Sequence, residues 1–375
     1  MMFPIIETVT DVLPHIQGNI GIFLTRFDEY DVIDYGFVGD ETFRSPMTLE
    51  CRGLKFAKDG RLIARPFHKF FNLGERQRPE DIDWTVPHLV LSKLDGSMVH
   101  PCIVRNELVF MTRMGVTAQS MAAFAHAGEN VRQLSKYAIE AGMTVLFEFT
   151  SPENRVVIAY DQPSLTLLAA RDNRTGRYST HQELRSLAGQ FDVPLIQPLE
   201  SLAPMKDFVT AARSQEGIEG YVIAFEDGHR LKLKTAFYAL RHKALSGLAF
   251  EKNILAWVAE GAVDDVIPLL APDLAEELRA YQLVVVNGLN RHLGVLASFV
   301  AEQSGRERKE FAAAVRSRLD SRLQGAAFAM FDGKDGSAVL RKQLLWASYS
   351  ESRLDSIRDL YGMAWKSPAV AVEAG

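Results

Sequence analysis

Ile218-Glu219-Gly220-Tyr221-Val222-Ile223-Ala224-Phe225-Glu226-Asp227-Gly228-His229-Arg230-Leu231-Lys232-Leu233-Lys234-Thr235 reads as one β-hairpin. Residues 220–225 are mostly β-branched or aromatic, residues 230–235 alternate cations with leucine, and Asp227-Gly228 is a turn pair between them. Two strands this close in sequence run antiparallel, because a parallel pair needs a crossover of a dozen or more residues. On the second strand Arg230, Lys232 and Lys234 share one face, with neighbours ~6.5–7 Å apart. Three like charges repel there unless an anion such as a polyphosphate offsets them, or the face is simply solvated.

Outward from this hairpin the chain keeps the same character as far as residue 235. Strands are expected over 49–57, 61–67, 89–94, 99–104 with 107–112, 144–150, 155–160 and 165–171, with turns at Asn106-Glu107 and Asn173 to Gly176. Helical patterns interrupt at 118–141, 181–190 and 204–214. Hairpin-paired strands with helices packed on them predict an α+β domain of mainly antiparallel sheets, residues 1–240. Beyond it the pattern changes. Pro272-Asp273 opens a helix over 273–303 with an apolar stripe of Leu274, Leu278, Tyr281, Val285 and Leu289. Further helices are expected over 306–324, 338–347 and 351–364, so residues 241–375 read as an all-helical domain. Twelve of the fifteen prolines fall in 1–235, and the whole net charge of −5 arises there, since residues 236–375 are neutral.

The length of 375 residues suits two domains. Two cysteines, Cys51 and Cys102, exclude a disulfide scaffold and a Cys-rich zinc site. No membrane span and no secretory leader is expected from the apolar pattern, and a reducing cytoplasm is the expected location. An overall acidic chain does not coat nucleic acid through bulk charge, but a local cationic channel is compatible with it.

Ser92-Lys93-Leu94-Asp95-Gly96-Ser97 is the strongest local chemical signal. It follows Leu89-Val90-Leu91, which places Lys93 at a strand end. Partial desolvation there lowers a lysine's pKa and makes it a nucleophile, with Asp95 near enough to orient the ammonium or a metal. The plain alternative is a polar turn. Glu148 lies in the apolar strand Leu146-Phe147-Glu148-Phe149, where a carboxylate needs an ion pair, a metal or a hydroxyl. Glu219 leads into the hairpin and offers an oxygen ligand for a divalent cation. Arg52, Lys69 and Arg113 add cations. Asp264-Asp265 either hold a divalent ion or start a helix. Arg306, Arg308, Lys309, Arg316, Arg318 and Arg322 either present a basic face to folded RNA or form a solvated helix surface with Glu307, Glu310 and Asp320.

Five ordered blocks, ECRGLKF at 50–56, RPFHKFFNLGE at 65–75, SKLDGS at 92–97, FEFTSPENRVVIAY at 147–160 and IEGYVIAFEDGHRLKLKT at 218–235, together resemble the T-even phage RNA ligase 1 family. That family lies within the covalent nucleotidyltransferase superfamily of ATP-dependent ligases and capping enzymes. The resemblance implies that Lys93 becomes covalently adenylylated with Asp95 in support. It implies that Glu148 contacts the adenylate ribose and that Glu219 takes part in metal-dependent chemistry. Lys232 and Lys234 would hold phosphates, with Arg52 and Lys69 near the triphosphate. Tyr35 and Tyr238 fall where the family has nucleotide-pocket tyrosines. Arg113 departs from the family's lysine. ATP is then the co-substrate and Mg²⁺ the metal. RNA with 5′-phosphate and 3′-hydroxyl ends is the partner, with tRNA cut in the anticodon loop as one such RNA and the helical domain 241–375 as the part that recognises it, in the host cytoplasm if the chain is phage-encoded, and no obligate protein partner is evident. A DNA ligase, an mRNA-capping guanylyltransferase and a non-catalytic RNA-binding relative are the alternatives. The helical pattern after Lys234 leans toward RNA, since the other two enzymes usually continue there into a β-rich barrel.

Overall fold

The computed structural model describes residues 3–36, 38–39, 41–154, 156–199 and 204–366. They form two compact units, one running to Ala239 and one starting at Leu240. The first unit holds twelve strands: β1 Ile22–Arg26, β2 Tyr30–Tyr35, β3 Leu54–Ala57, β4 Leu62–Ala64, β5 Phe71–Asn72, β6 His88–Lys93, β7 Ser97–Val104, β8 Glu107–Met111, β9 Met143–Thr150, β10 Ser164–Asp172, β11 Gly220–Phe225 and β12 Arg230–Lys234. They make three four-stranded sheets, ordered β1-β2-β3-β4, β10-β9-β7-β8 and β5-β12-β11-β6. Every named pair is antiparallel except β12 with β5. The α+β expectation therefore holds, and the decisive hairpin is β11–β12 with Val222 opposite Lys232.

Local chemistry explains where elements begin and end. β7 turns into β8 through Arg105 and Asn106, both in the left-handed region at φ 50° and 64°, one residue earlier than the expected Asn106-Glu107. That two-residue turn carries the twist that antiparallel strands need. The strand expected over 49–57 is shorter. Pro46–Glu50 is a helix whose Ser45 hydroxyl accepts from the Thr48 amide at 3.2 Å, and Gly53, at φ 85°, separates it from β3. The helix expected over 118–141 breaks at Ala127-Gly128 into Ala118–His126 and Glu129–Glu140. The helix Val9–Ile16 and strands β1 and β2 were not expected. No strand forms among the described residues of 155–160, because the amides of Val157 and Ile158 bond a side chain instead of a neighbouring strand.

The helices Glu129–Glu140 and His181–Phe191 pack Val131, Leu134, Ala138, Leu184 and Ala188 onto Val145, Phe147, Phe149, Leu165 and Leu167 of β9 and β10. Side chains alternate across a strand, so Glu148 faces away from that core. Beneath it, Glu50 is fully buried between two fully buried arginines. Arg65 Nε donates at 3.1 Å and Arg171 Nη2 at 2.6 Å. The pairing holds the Glu50 carboxyl below its usual range against the opposing effect of burial.

The second unit is helical among its described residues. Its longest helix, Pro272–Glu302, buries Leu278, Tyr281, Val285, Leu289, Leu296 and Phe299. By length and composition alone this helix could cross a membrane, which corrects the expectation that no segment is that apolar. The expected 306–324 helix is Arg308–Arg318, followed by Gln324–Phe331, and the expected 351–364 helix is two short turns, Glu351–Asp355 and Arg358–Tyr361.

Candidate active site

Three strands bring the candidate lysines together. Gly220 of β11 pairs with Lys93 of β6 on one side and Lys234 of β12 on the other. Glu219, one residue before β11, therefore stands between the two lysines. Its Oε2 accepts from Lys93 Nζ at 2.7 Å and its Oε1 lies 3.5 Å from Lys234 Nζ. Gly220 is required for this close approach: it sits at φ 144°, and a Cβ there would lie 2.0 Å from the Leu233 carbonyl oxygen. Lys232 is two residues along the same face. Arg230 is two further, about 13 Å from the level of Lys93 at ~3.3 Å per residue. It packs instead over the rings of Tyr178 at 4.3 Å and Phe67 at 5.2 Å. The triple cation face thus divides: Lys232 and Lys234 belong to the site and Arg230 does not.

Asp95 is placed differently from the orienting role read in the sequence. Its Oδ2 accepts from the amides of Val157 at 2.7 Å and Ile158 at 2.6 Å, and its Oδ1 accepts from the Tyr238 hydroxyl at 2.7 Å. Both oxygens hold the 157–158 turn and Tyr238, while the charge of the carboxylate still favours the Lys93 ammonium. The Asp95 amide donates to the Tyr160 hydroxyl at 2.9 Å, and the Gly96 amide donates to Glu148 Oε1 at 3.1 Å. Glu148 thus reaches the Lys93 loop from β9. Asn154 donates to the Phe149 carbonyl at 3.0 Å and pairs with Ser97. Tyr160 and Asn154 lie inside the FEFTSPENRVVIAY block, yet nothing in the sequence singled them out.

A second group of cations, Lys69, Arg113 and Lys55, gathers around the end of β2 and the start of β3. The Tyr35 ring is flanked by the Arg113 guanidinium at 4.4 Å and by Lys69 Nζ at 4.8 Å, and Lys69 also donates to the Tyr35 hydroxyl at 3.4 Å. Arg113 Nη1 donates to Asp34 Oδ1 at 3.2 Å and to the Tyr35 carbonyl at 3.0 Å, which assigns the contacts of the residue that departs from the family pattern. Lys55 was missed in the sequence. It is fully buried and donates to the carbonyls of Gly53 at 2.7 Å and Arg113 at 2.8 Å, tying these two segments together. Arg52 Nη1 is buried with no hydrogen-bond partner among the described residues.

The charges of the site are unevenly disposed. Burial disfavours the Lys93 ammonium, but Glu219, then Glu148 and Asp95, outweigh it and raise its pKa above that of an ordinary lysine. This reverses the expectation of a lysine depressed by partial desolvation. Lys232 shows that depression instead: burial first, then Arg52, Lys93, Lys69 and Lys234, push it well below the ordinary lysine range. Burial and then Glu219 and Asp95 hold the Tyr238 hydroxyl far up, and mainly burial pushes Tyr160 to about 12. An orphaned arginine donor and a lysine destabilised by four cations mark a patch of uncompensated positive charge beside the carboxylates around Lys93, the complement of a polyphosphate.

The remaining candidates stay outside this group. Asp264 and Asp265 are exposed in the four-residue helix Val263–Val266 of the second unit. Among the described residues no set of three or more carboxylates, imidazoles or thiols gathers as a metal site. Of the six cations read either as a basic face or as a solvated helix surface, three are paired: Arg308 with Asp332, Arg318 with Glu302, and Arg322 with Asp320 and Asp359.

A lysine nucleophile candidate at a sheet end, paired with Glu219 and flanked by the cations Lys232 and Lys234, defines a site for phosphoryl or nucleotidyl transfer. Residues 50–243 match the RNA ligase family model, and the chain belongs to that family. It is 26% identical over 315 residues to a Thermovibrio ammonificans protein named for RNA ligase activity, covering 81% of this chain and 82% of the relative. It is 29% identical over 252 residues to RNA ligase 1 of Bacteriophage TS2126, covering 64% of this chain and 63% of that relative. Among solved structures an archaeal ATP-dependent RNA ligase overlaps 93% of this chain and 78% of its own at 15% identity, with a TM-score of 0.45.

Proposed function

We propose that this RNA ligase uses ATP to join 5′-phosphate and 3′-hydroxyl RNA ends, carrying AMP on Lys93. The observation that carries this reading is Lys93 Nζ held 2.7 Å from Glu219, with Lys234 on the same carboxylate and Lys232 crowded by cations that a polyphosphate would offset. In the first step Lys93 gives a proton to Glu219, and its nitrogen lone pair forms a bond to the α-phosphorus of ATP while the bond to pyrophosphate breaks. Lys232, Lys234, Arg52 and Lys69 then face the charge that grows on the phosphate oxygens. AMP passes from Lys93 to the 5′-phosphate of RNA, and the 3′-hydroxyl displaces AMP as the phosphodiester bond forms.

Glu219 and Glu148 supply hard oxygen ligands, and one or two carboxylates with substrate phosphates is how Mg²⁺ is ordinarily held. Bound with ATP, the ion would polarise the phosphate being attacked. Repair of cleaved tRNA is the setting we infer from the family, and a reducing cytoplasm is the compartment that two free, buried cysteines suit.

Intact mass spectrometry after incubation with ATP and Mg²⁺ tests the proposal. The expected result is a gain of one AMP less water, absent in Lys93→Ala, and ligation of 5′-phosphate RNA in preference to matched DNA. An adduct that survives Lys93→Ala, an adduct formed from GTP only, or preferential sealing of nicked DNA overturns it.

A further inference from the structure

The helix Gly336–Ala347 of the second unit buries Leu340, Leu344 and Ala347 and turns its other side to solvent. Lys342 and Trp346 stand four residues apart, on one face, and Tyr349 follows just past the helix end. Trp346 is 46% exposed and Tyr349 is 67% exposed. The Arg353 guanidinium lies over both rings, 4.9 Å from Trp346 and 5.9 Å from Tyr349. Lys342 is exposed on the Trp346 face, and Arg341 is exposed one residue before it. No ion pair is formed by Arg341, Lys342 or Arg353 among the described residues, and the helix itself carries no acidic residue. Glu351 is the acidic residue nearest to Arg353 in sequence on the amino-terminal side. The contrast with Arg308, Arg318 and Arg322, each paired with a carboxylate, is direct.

We propose that Trp346, Tyr349 and Arg353 form a stacking platform for unpaired nucleobases of the RNA substrate, with Arg341 and Lys342 on its phosphates. This rests on the RNA-ligase reading for the identity of the strand. Two large rings left in water with a guanidinium already stacked on them offer flat faces to any base. The uncompensated cations select a polyanion over an apolar protein surface. A-form duplex hides its base faces in the stack and is recognised through backbone and 2′-hydroxyls, so the platform suits loops and free ends.

The test is binding of the full-length protein to a short unpaired 5′-phosphate RNA and to a blunt RNA duplex, alongside the Lys93 adduct assay. Trp346→Ala and Tyr349→Ala are each expected to weaken single-strand binding about ten-fold, with little change for duplex. Tyr349→Phe keeps its ring and binds as wild type. Lys342→Gln lowers the salt dependence by about one phosphate contact. Adduct formation is expected to be unchanged in every variant, and an unchanged helical circular dichroism signal and thermal unfolding curve report that the second unit has folded in each. Wild-type binding by both alanine variants overturns the platform while leaving the ligase reading intact. So does an equal loss for duplex, or a wild-type dimer that Trp346→Ala dissociates, since that would make the surface a protein interface. Failure of the wild type to form the adduct or to ligate strikes the ligase reading and leaves the binding comparison to judge the platform.

Discussion

Replacing Asp95 separates a holding role from a direct chemical one. Its carboxylate accepts three short hydrogen bonds, from Val157 N at 2.7 Å, Ile158 N at 2.6 Å and Tyr238 Oη at 2.7 Å, and the residue is 2% exposed. Hydrogen bonds to a charged group contribute about 1.5–3 kcal/mol each, and donors left unsatisfied in the interior keep their desolvation cost. Partial water access at Ile158 favours the low end. Asp95→Ala should therefore destabilise the catalytic unit by about 5 kcal/mol, a large share of a typical total of about 5–15 kcal/mol. Asp95→Asn keeps one carbonyl oxygen for the two amides, and the Tyr238 hydroxyl can rotate to accept from the new amide, so about 1–2 kcal/mol is expected. Denaturant unfolding of both variants, read beside lysyl-AMP formation, makes the comparison. If Asp95→Ala abolished the adduct while costing under about 1 kcal/mol of stability, Asp95 would act on the reacting atoms and the bonding argument would be wrong.

Further outcomes follow from other contacts. In Gly96→Ala the new Cβ would lie 2.3 Å from the Phe149 carbonyl oxygen, forcing β7 from β9. The expected cost is about 1–3 kcal/mol, with adduct formation slowed about 100-fold by the displaced Lys93 loop, and a rate within about three-fold of wild type would refute it. Burial pushes Lys55 down to about 8. Between pH ~8 and ~10.4 the unfolded chain holds a proton that the folded chain has released, so stability gains from this group as pH rises through that window and is level below it. The stability of wild type minus Lys55→Met should climb across the same window, and parallel curves would exclude the effect. Lys232, disfavoured as an ammonium in the ligand-free pocket, should take up a proton when pyrophosphate binds. Calorimetry in buffers of different ionisation enthalpy should show more uptake by wild type than by Lys232→Met, and equal uptake would refute the cation-crowding argument.

What could be read locally was read from the sequence. The β11–β12 hairpin, the Lys93 loop at the end of β6 and the helical character after residue 240 rest on side-chain alternation, turn residues and 3–4 spacing, which neighbouring residues determine among themselves. The 155–160 segment shows where that ends. Val157, Ile158 and Tyr160 have strand composition, but their partner is Asp95, more than sixty residues away, and this contact outweighs local propensity. The same holds for charge. A lysine beside apolar residues suggested a depressed pKa, yet Lys93 is raised because Glu219 reaches it across the β6–β11 register, while Lys232 inherits the depression from cations on other segments. The residue types needed for the chemistry were present in linear order. Which carboxylate neutralises which lysine, and which donors remain unsatisfied, depends on distances between segments that only the folded sheets bring together.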